Sequence, residues 1–257
     1  EVLIHRMLWS VPVLFFLVHT KPSWKLNFKE SLSSKKELGF LFITAILITI
    51  NWGGYILAVN LGRVVEASMG YFLSPVINMI GGYIFFHERI SKLKQLAVLF
   101  ATVGALYYVF SGDSIPWLGF LVGFTFSAYG IARKAMASSA VPGLYIETLI
   151  LLPLILIFST WFYLNFDFAF LNLNFSTDVL LFMAGAVTVV PLALFNAGAK
   201  LLPMTTVGIL FLITPTIQFL VGYYLQNEAV NSHQLFGFIG VWAGLLMYSY
   251  ALIKEKP

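Results

Sequence analysis

The sequence predicts an all-α polytopic membrane protein made of two inverted repeats, with nine transmembrane helices here of an expected ten. Three observations predict it. Sixty per cent of the 257 residues are hydrophobic and only 10% are charged, against about 25% charged in a soluble domain. At a mean hydropathy of +0.89, so much apolar surface cannot be hidden in a globule of this size, and the bilayer must be its solvent. Apolar stretches of about 20 residues, enough to cross roughly 30 Å of hydrocarbon, recur along the whole chain. Finally, a polar signature returns after 140 residues: Ser74-Pro75, Gly82-Tyr83, Glu88, Gly104 and Tyr108 reappear as Thr214-Pro215, Gly222-Tyr223, Glu228, Gly244 and Tyr248. The second copy starts five apolar stretches after the first, an odd offset, so it crosses the bilayer in the opposite sense. Inverted repeats of this kind build secondary transporters, with the substrate site at the repeat interface near the midplane.

Polar flanks place the spans near 4–20, 39–60, 64–86, 94–111, 115–133, 144–165, 178–199, 204–226 and 233–253. The first is a span and not a signal peptide, because it has Pro12 at its centre and no small-residue cleavage site. A charged loop, 21–38, follows, with Lys21, Lys25, Lys29, Lys35 and Lys36. If that loop is cytoplasmic, the same side receives Arg89, Lys92, Lys94, Arg133, Lys134, Lys200, Lys254 and Lys256, leaving only Arg6 and Arg63 outside. Asp113, Asp167, Asp178 and Glu228 fall on the opposite side. This satisfies the positive-inside rule and puts the C-terminus in the cytoplasm. The sequence pI near 9.2 therefore reflects topology and not a nucleic-acid footprint. The repeats divide as 1–112, with four spans, and 113–257, with five. Glu1 and Glu147 each lead into a proline-bearing apolar helix (Pro12, Pro153), so the expectation is that a helix equivalent to 115–133 precedes Glu1.

Several chemistries are excluded. Without cysteine there is no disulfide, thiolate metal site or Cys nucleophile. The four histidines, His5, His19, His87 and His233, sit at span edges without metal-ligand spacing, and no G-x-x-x-x-G-K-[ST] is present to bind a nucleotide. The chain reads as no enzyme, with no cofactor. Its expected partners are a small organic solute, the surrounding lipid, protons and a second copy of the chain as a homodimer.

Ionisable and amide groups inside spans need a reason, since a charge there costs about 2.5–3.5 kcal/mol on insertion scales. Glu147 lies some three residues into its span, where it either carries a proton or an amine, or pairs with Arg133 or Lys134 of the preceding helix. Arg63 and Glu66 stand i, i+3 at an outer helix end, as a salt bridge or an outer gate. Arg6 beside them in depth either attracts anions or snorkels. Asn51 and Tyr55 share a helix face with Trp52, Gly53 and Gly54 alongside, which suits either stacking and hydrogen bonding to a solute or Asn-mediated helix packing. Tyr71, Ser74 and Asn78 share one face with Pro75, and Phe211, Thr214 and Gln218 occupy the equivalent slots with Pro215. Two such faces converging at the centre make either the strongest site or a set of packing hydrogen bonds between helices, with the prolines permitting the kink that rocking helices use. Tyr129, Thr188 and Asn196 are secondary candidates.

The segments 1–10 (EVLIHRMLWS), 51–62 (NWGGYILAVNLG), 63–75 (RVVEASMGYFLSP) and 147–153 (ETLILLP) resemble the RarD-like permeases of the EamA group, in the drug/metabolite transporter superfamily. The resemblance implies ten helices in two inverted five-helix repeats, both termini cytoplasmic, and a multi-pass permease of the bacterial inner membrane with no cofactor or nucleotide. It does not identify a cargo. The competing class is a non-transporting accessory subunit or scaffold, which has no need of an inverted repeat. A channel comes third, since no selectivity filter or charged ring is visible.

Overall fold

Because lipid offers no hydrogen bonds to the backbone, a chain of this composition has to satisfy its peptide groups within helices. The computed structural model describes residues 1–110, 115–225, 227, 230 and 232–254, without the side chains of Met69, Tyr108, Val109 and Gln234, and its regular elements are all helical. In order they are α1 (Val2–Thr20), α2 (Pro22–Ser33), α3 (Lys35–Asn60), α4 (Val64–Tyr71), α5 (Ser74–Phe86), α6 (Lys92–Phe110), α7 (Trp117–Ala135), α8 (Ala140–Asn165), α9 (Phe175–Leu201), α10 (Met204–Phe211), α11 (Ile213–Leu225) and α12 (Ser232–Lys254). Among the described residues six helical stretches are long and apolar enough to cross a membrane: α1, α3, α8, α9, Met204–Leu225 and Leu235–Lys254. Asp113 and Glu228, and the side chain of Tyr108, lie outside the described residues.

Three sequence expectations are corrected. The 21–38 segment is not a simple loop, because α2 occupies most of it. Its lysines obscure a helical stripe of Trp24, Asn27, Phe28 and Ser31, which face inward. The stretches 64–86 and 204–226 are not continuous helices. Each is interrupted, at Phe72–Leu73 and at Leu212, just before Pro75 and Pro215, whose rings cannot continue the hydrogen-bond ladder of a preceding turn. Finally α8 starts at Ala140, so Glu147 sits two turns inside the helix rather than three residues in.

The chain folds as two compact units, each drawing on both halves of the sequence: Glu1–Ile46 with Ala132–Lys200, and Leu47–Ile131 with Leu201–Pro257. In the first, α8 packs on α1 and α2. Leu41, Met136 and Ile146 form its small core under Phe28, Leu38 and Ile150. At Gly185 a Cβ would meet the Trp9 backbone, so only glycine permits this approach of α9 to α1.

In the second unit α6 packs along α12, α5 on α10 and α4 on α11. The seam between α6 and α12 is backbone to backbone. A Cβ on Gly104 would lie 2.6 Å from the Gly237 oxygen and 2.7 Å from the Val241 nitrogen; one on Gly244 would lie 2.6 Å from the Ala97 oxygen and 2.7 Å from the Ala101 nitrogen. Adding 140 to 97, 101 and 104 gives 237, 241 and 244, so the two contacts are reciprocal. Small residues at such spacing let membrane helices approach closely. Other pairs obey the same shift. Phe72 and Leu212 share the core with Val98 and Phe238, and Tyr71 meets Phe211 with ring centroids 5.2 Å apart. His87 (φ 54°) and Asn227 (φ 53°), just past α5 and α11, both adopt the left-handed conformation, which ends helices.

Candidate functional site

In the second unit, Asn51, Tyr71 and Phe211, three of the side chains that line up in the sequence, meet beside the helix interruptions. Asn51 of α3 is buried and fully engaged: Nδ2 donates to the Val122 carbonyl (2.7 Å) and to Thr125 Oγ1 (3.3 Å), and Oδ1 accepts from Tyr71 OH (3.2 Å). The carboxamide thus ties α3, α4 and α7 together, the packing role expected of an amide in lipid. Tyr71 is also ringed by Phe126 and Phe211, which stack on each other at 4.4 Å. Tyr129, buried, lies 6.3 Å from Phe126. Trp52 and Tyr55 are half-buried on the same helix as Asn51, and Tyr55 packs against the Ala58, Ala67 and Leu118 cluster.

A turn away, the polar groups are not consumed by the protein. Among the described residues, Ser74 Oγ, Asn78 Oδ1 and Gln218 Oε1 are buried without a hydrogen-bond partner. A buried polar atom left unpaired costs about 1–3 kcal/mol, so these three, with Ser127 Oγ a fourth in the same unit, need an explanation. Asn78 and Gln218 are equivalent under the 140-residue shift. Gly208 lets α10 pack closely on this face of α5: a Cβ there would lie 2.9 Å from both Asn78 Nδ2 and Pro75 Cα. Ser74, Pro75 and Pro215 are buried, while Thr214 is half-buried. Near the other end of α5 is a cleft of about 710 Å³ lined by Met79, Tyr83, Glu88, Arg89, Gln95 and Thr205, among others. Glu88 closes one wall, with its Oε2 accepting the Met204 N–H at 2.7 Å. An acid at a helix N-terminus is favoured by unsatisfied amides and by the dipole, so Glu88 fixes the start of α10.

Arg63 and Glu66 pair at 2.5 Å. Glu66 Oε1 also accepts the Leu118 N–H at 3.2 Å, so the pair anchors α4 to the first turn of α7.

Glu147 belongs to the first unit and is 1% exposed. Thr44 Oγ1 donates to its Oε1 at 2.6 Å, and Arg133 Nε stands 3.6 Å from the same oxygen. Arg133, fully buried, donates besides to Ser138 Oγ and to the Ser139 and Ala140 carbonyls (3.2, 3.1 and 3.0 Å). Gly143 makes room for it, since a Cβ there would collide with the guanidinium. The 136–140 link is clamped from other helices as well. Asn27 Oδ1 accepts the Ser139 N–H, Glu37 accepts those of Ala137 and Ser138, and Lys200 Nζ donates to the Met136 carbonyl. Elsewhere in this unit Arg6 Nε donates to Thr188 Oγ1 at 3.0 Å, and Asn196 is buried. Glu1 accepts the N–H groups of Ala169 and Phe170. Among the described residues no three His, Asp or Glu side chains are grouped to hold a metal ion.

Sequence reasoning missed Thr44, Phe126, Gly208 and the capping role of Glu88, because each acts across more than 50 residues of chain. For Glu88 a signal existed in its recurrence as Glu228.

Comparison with known proteins finds the EamA-like transporter family over residues 1–110. YojE of Bacillus subtilis, described as an uncharacterized transporter, is 36% identical over all of this chain and 86% of its own. Protein RarD of Escherichia coli is 33% identical over 96% of this chain and 83% of its own. A Pseudomonas aeruginosa relative described as chloramphenicol-sensitive protein RarD is 29% identical over 96% and 83%.

Proposed function

The chain belongs to the EamA-like transporter family, and on that premise we propose that it is a secondary carrier moving small organic metabolites or drugs across the bacterial inner membrane by alternating access. That it is a multi-pass membrane transporter follows from the family, from relatives described as transporters, and from its apolar helices. The observation that carries the finer reading is that, among the described residues, three buried polar atoms without a partner, Ser74 Oγ, Asn78 Oδ1 and Gln218 Oε1, follow two equivalent helix interruptions in the chain. Broken helices next to unsatisfied polar groups are where inverted-repeat carriers bind their cargo. An uncharged polar lining with the Tyr71, Phe126 and Phe211 rings nearby suits a small organic solute with a π-face and a few hydrogen-bonding groups. The reciprocal contacts at Gly104 and Gly244 support the inverted repeat, since two equivalent elements related by a two-fold meet isologously.

In this carrier the repeats rock about the site, with Pro75 and Pro215 as flexing points and Arg63–Glu66 as part of the outer closure. Protons couple through Glu147: a proton on the carboxylate removes the charge that Arg133 faces and loosens the 136–140 clamp. The expected consequence is that Glu147→Gln removes the dependence of uptake on an imposed pH gradient, while solute binding persists. Undiminished pH-gradient dependence in Glu147→Gln proteoliposomes would refute this part.

Ligand-induced stabilisation tests the site. A true cargo at 100 times its Kd adds about 2.7 kcal/mol to the folded state. Among amino acids, nucleosides, small organic acids and phenicols, at least one class should raise the unfolding temperature of the purified protein, and Asn78→Ala or Gln218→Ala should remove the rise. A folded protein stabilised by none of them, or equally stabilised in both variants, would contradict the site.

A further inference from the structure

We propose that α2 is an amphipathic interfacial helix whose outer, lysine-bearing face docks on anionic phospholipid. This goes beyond the transport reading and does not depend on it. Connectivity comes first. Only Lys21 separates α2 from α1, and only Ser34 separates it from α3. Both neighbours are membrane-spanning in length and composition, so both ends of α2 lie where spans leave the hydrocarbon. Its 12 residues extend about 18 Å, too short to cross. Instead α2 lies along the end of α8: Asn27 Oδ1 accepts the Ser139 N–H at 2.7 Å, just before that helix begins, and the Phe28 ring stacks on Tyr145 at 5.1 Å. Trp24, Asn27, Phe28 and Ser31 form the inward stripe, with Ser31 buried.

The other face presents Lys25, Lys29, Leu26 (59% exposed) and Leu32 (42% exposed). Lys21 sits over the Trp24 ring at 4.5 Å, an arrangement suited to the headgroup layer, where indoles and long cationic side chains concentrate. Lys35 and Lys36, both exposed, continue the basic surface onto α3. Of the acids in this segment, Glu37 is committed to the Ala137 and Ser138 N–H groups, which leaves Glu30 alone against five lysines. Among the described residues, Lys25, Lys29, Lys35 and Lys36 make no ion pair. Unneutralised lysines at this density beside a membrane span attract anionic lipid, and the exposed leucines reach the boundary with the acyl chains. Through Asn27 and Ser139, lipid bound to α2 steadies the same link that Arg133 holds.

The test compares thermal unfolding of the purified chain in micelles doped with phosphatidylglycerol or with phosphatidylcholine. Phosphatidylglycerol should raise the unfolding temperature by several degrees over phosphatidylcholine at 50 mM NaCl, and most of that rise should vanish at 500 mM. The variant carrying Lys25→Gln, Lys29→Gln, Lys35→Gln and Lys36→Gln should lose the phosphatidylglycerol increment, and the corresponding four arginine substitutions should keep it. A full increment in the glutamine variant, or one insensitive to salt in the unmodified chain, overturns the proposal. So does an equal rise from soluble glycerol phosphate, which would make the ligand a free anion and not a lipid surface. The salt series needs no substitution, so it decides even if the glutamine variant does not fold.

Discussion

At the scale of single residues, Asn51 and Asn78 are the same side chain put to opposite uses. Asn51 uses both ends of its amide on Val122, Thr125 and Tyr71, whereas Asn78 Oδ1 has no partner among the described residues. Asn51→Ala should therefore cost about 1–3 kcal/mol of stability, the price of orphaned buried partners, and leave ligand selectivity intact. Asn78→Ala should cost less stability and abolish the ligand response, so unfolding curves with and without ligand separate the two. The buried Arg133–Glu147 pair sets a second expectation. Arg133→Met leaves a carboxylate uncompensated and should destabilise by about 3–5 kcal/mol. Adding Glu147→Met should restore part of that loss, and a purely additive double variant would contradict the pairing. The pairing of Arg63 with Glu66 was legible as one of two readings of their spacing, and for Glu147 topology narrowed the partner to Arg133 or Lys134, of which the structure shows Arg133. Thr44 was not, since it reaches Glu147 across 103 residues. Nor was the commitment of Asn51, because a polar face at helical spacing looks alike whether it greets a solute or another helix.

At the scale of elements, the prolines announced the interruptions before Pro75 and Pro215, but the sequence read them as kinks within single spans. The stretches stay apolar through Phe72–Leu73 and Leu212, so hydropathy does not register the break. In α2 the failure ran the other way: frequent lysines looked like a loop, while the stripe Trp24, Phe28, Ser31 carried the helical period. Glycine spacing is a better guide to these contacts than hydropathy. Gly240-x-x-x-Gly244 and Gly119-x-x-x-Gly123 are visible in the sequence, and both mark backbone contacts, with α6 and with Gly70 respectively. Gly104→Val and Gly244→Val should each force α6 and α12 apart and destabilise by roughly 1–3 kcal/mol or more, and by similar amounts, since their surroundings are reciprocal. Gly39→Ala, where a Cβ meets nothing within 4 Å, should instead be neutral or stabilising by up to about 1 kcal/mol. Equal damage at all three glycines would contradict the seam.

At the scale of the whole molecule, the 140-residue repetition organises what the individual observations describe. It was legible from a handful of Pro, Gly, Tyr and Glu residues, and the structure adds matched left-handed residues at His87 and Asn227 and the reciprocal seam. What the sequence does not disclose is how the chain divides its packing. The compact units take helices from both halves, because helices that follow one another in the chain need not be the ones that fit together. An inverted repeat has one direct consequence: equivalent positions in the two copies face opposite sides of the membrane. His87 and Asn227 are such a pair, both exposed, in a chain free of cysteine. The measurement is therefore the labelling of His87→Cys and Asn227→Cys variants in intact cells with a membrane-impermeant maleimide. The cysteine at 227 should react from outside, and the one at 87 should react only after the membrane is opened. Labelling of both from the same side would contradict the inverted repeat and, with it, the carrier built on it.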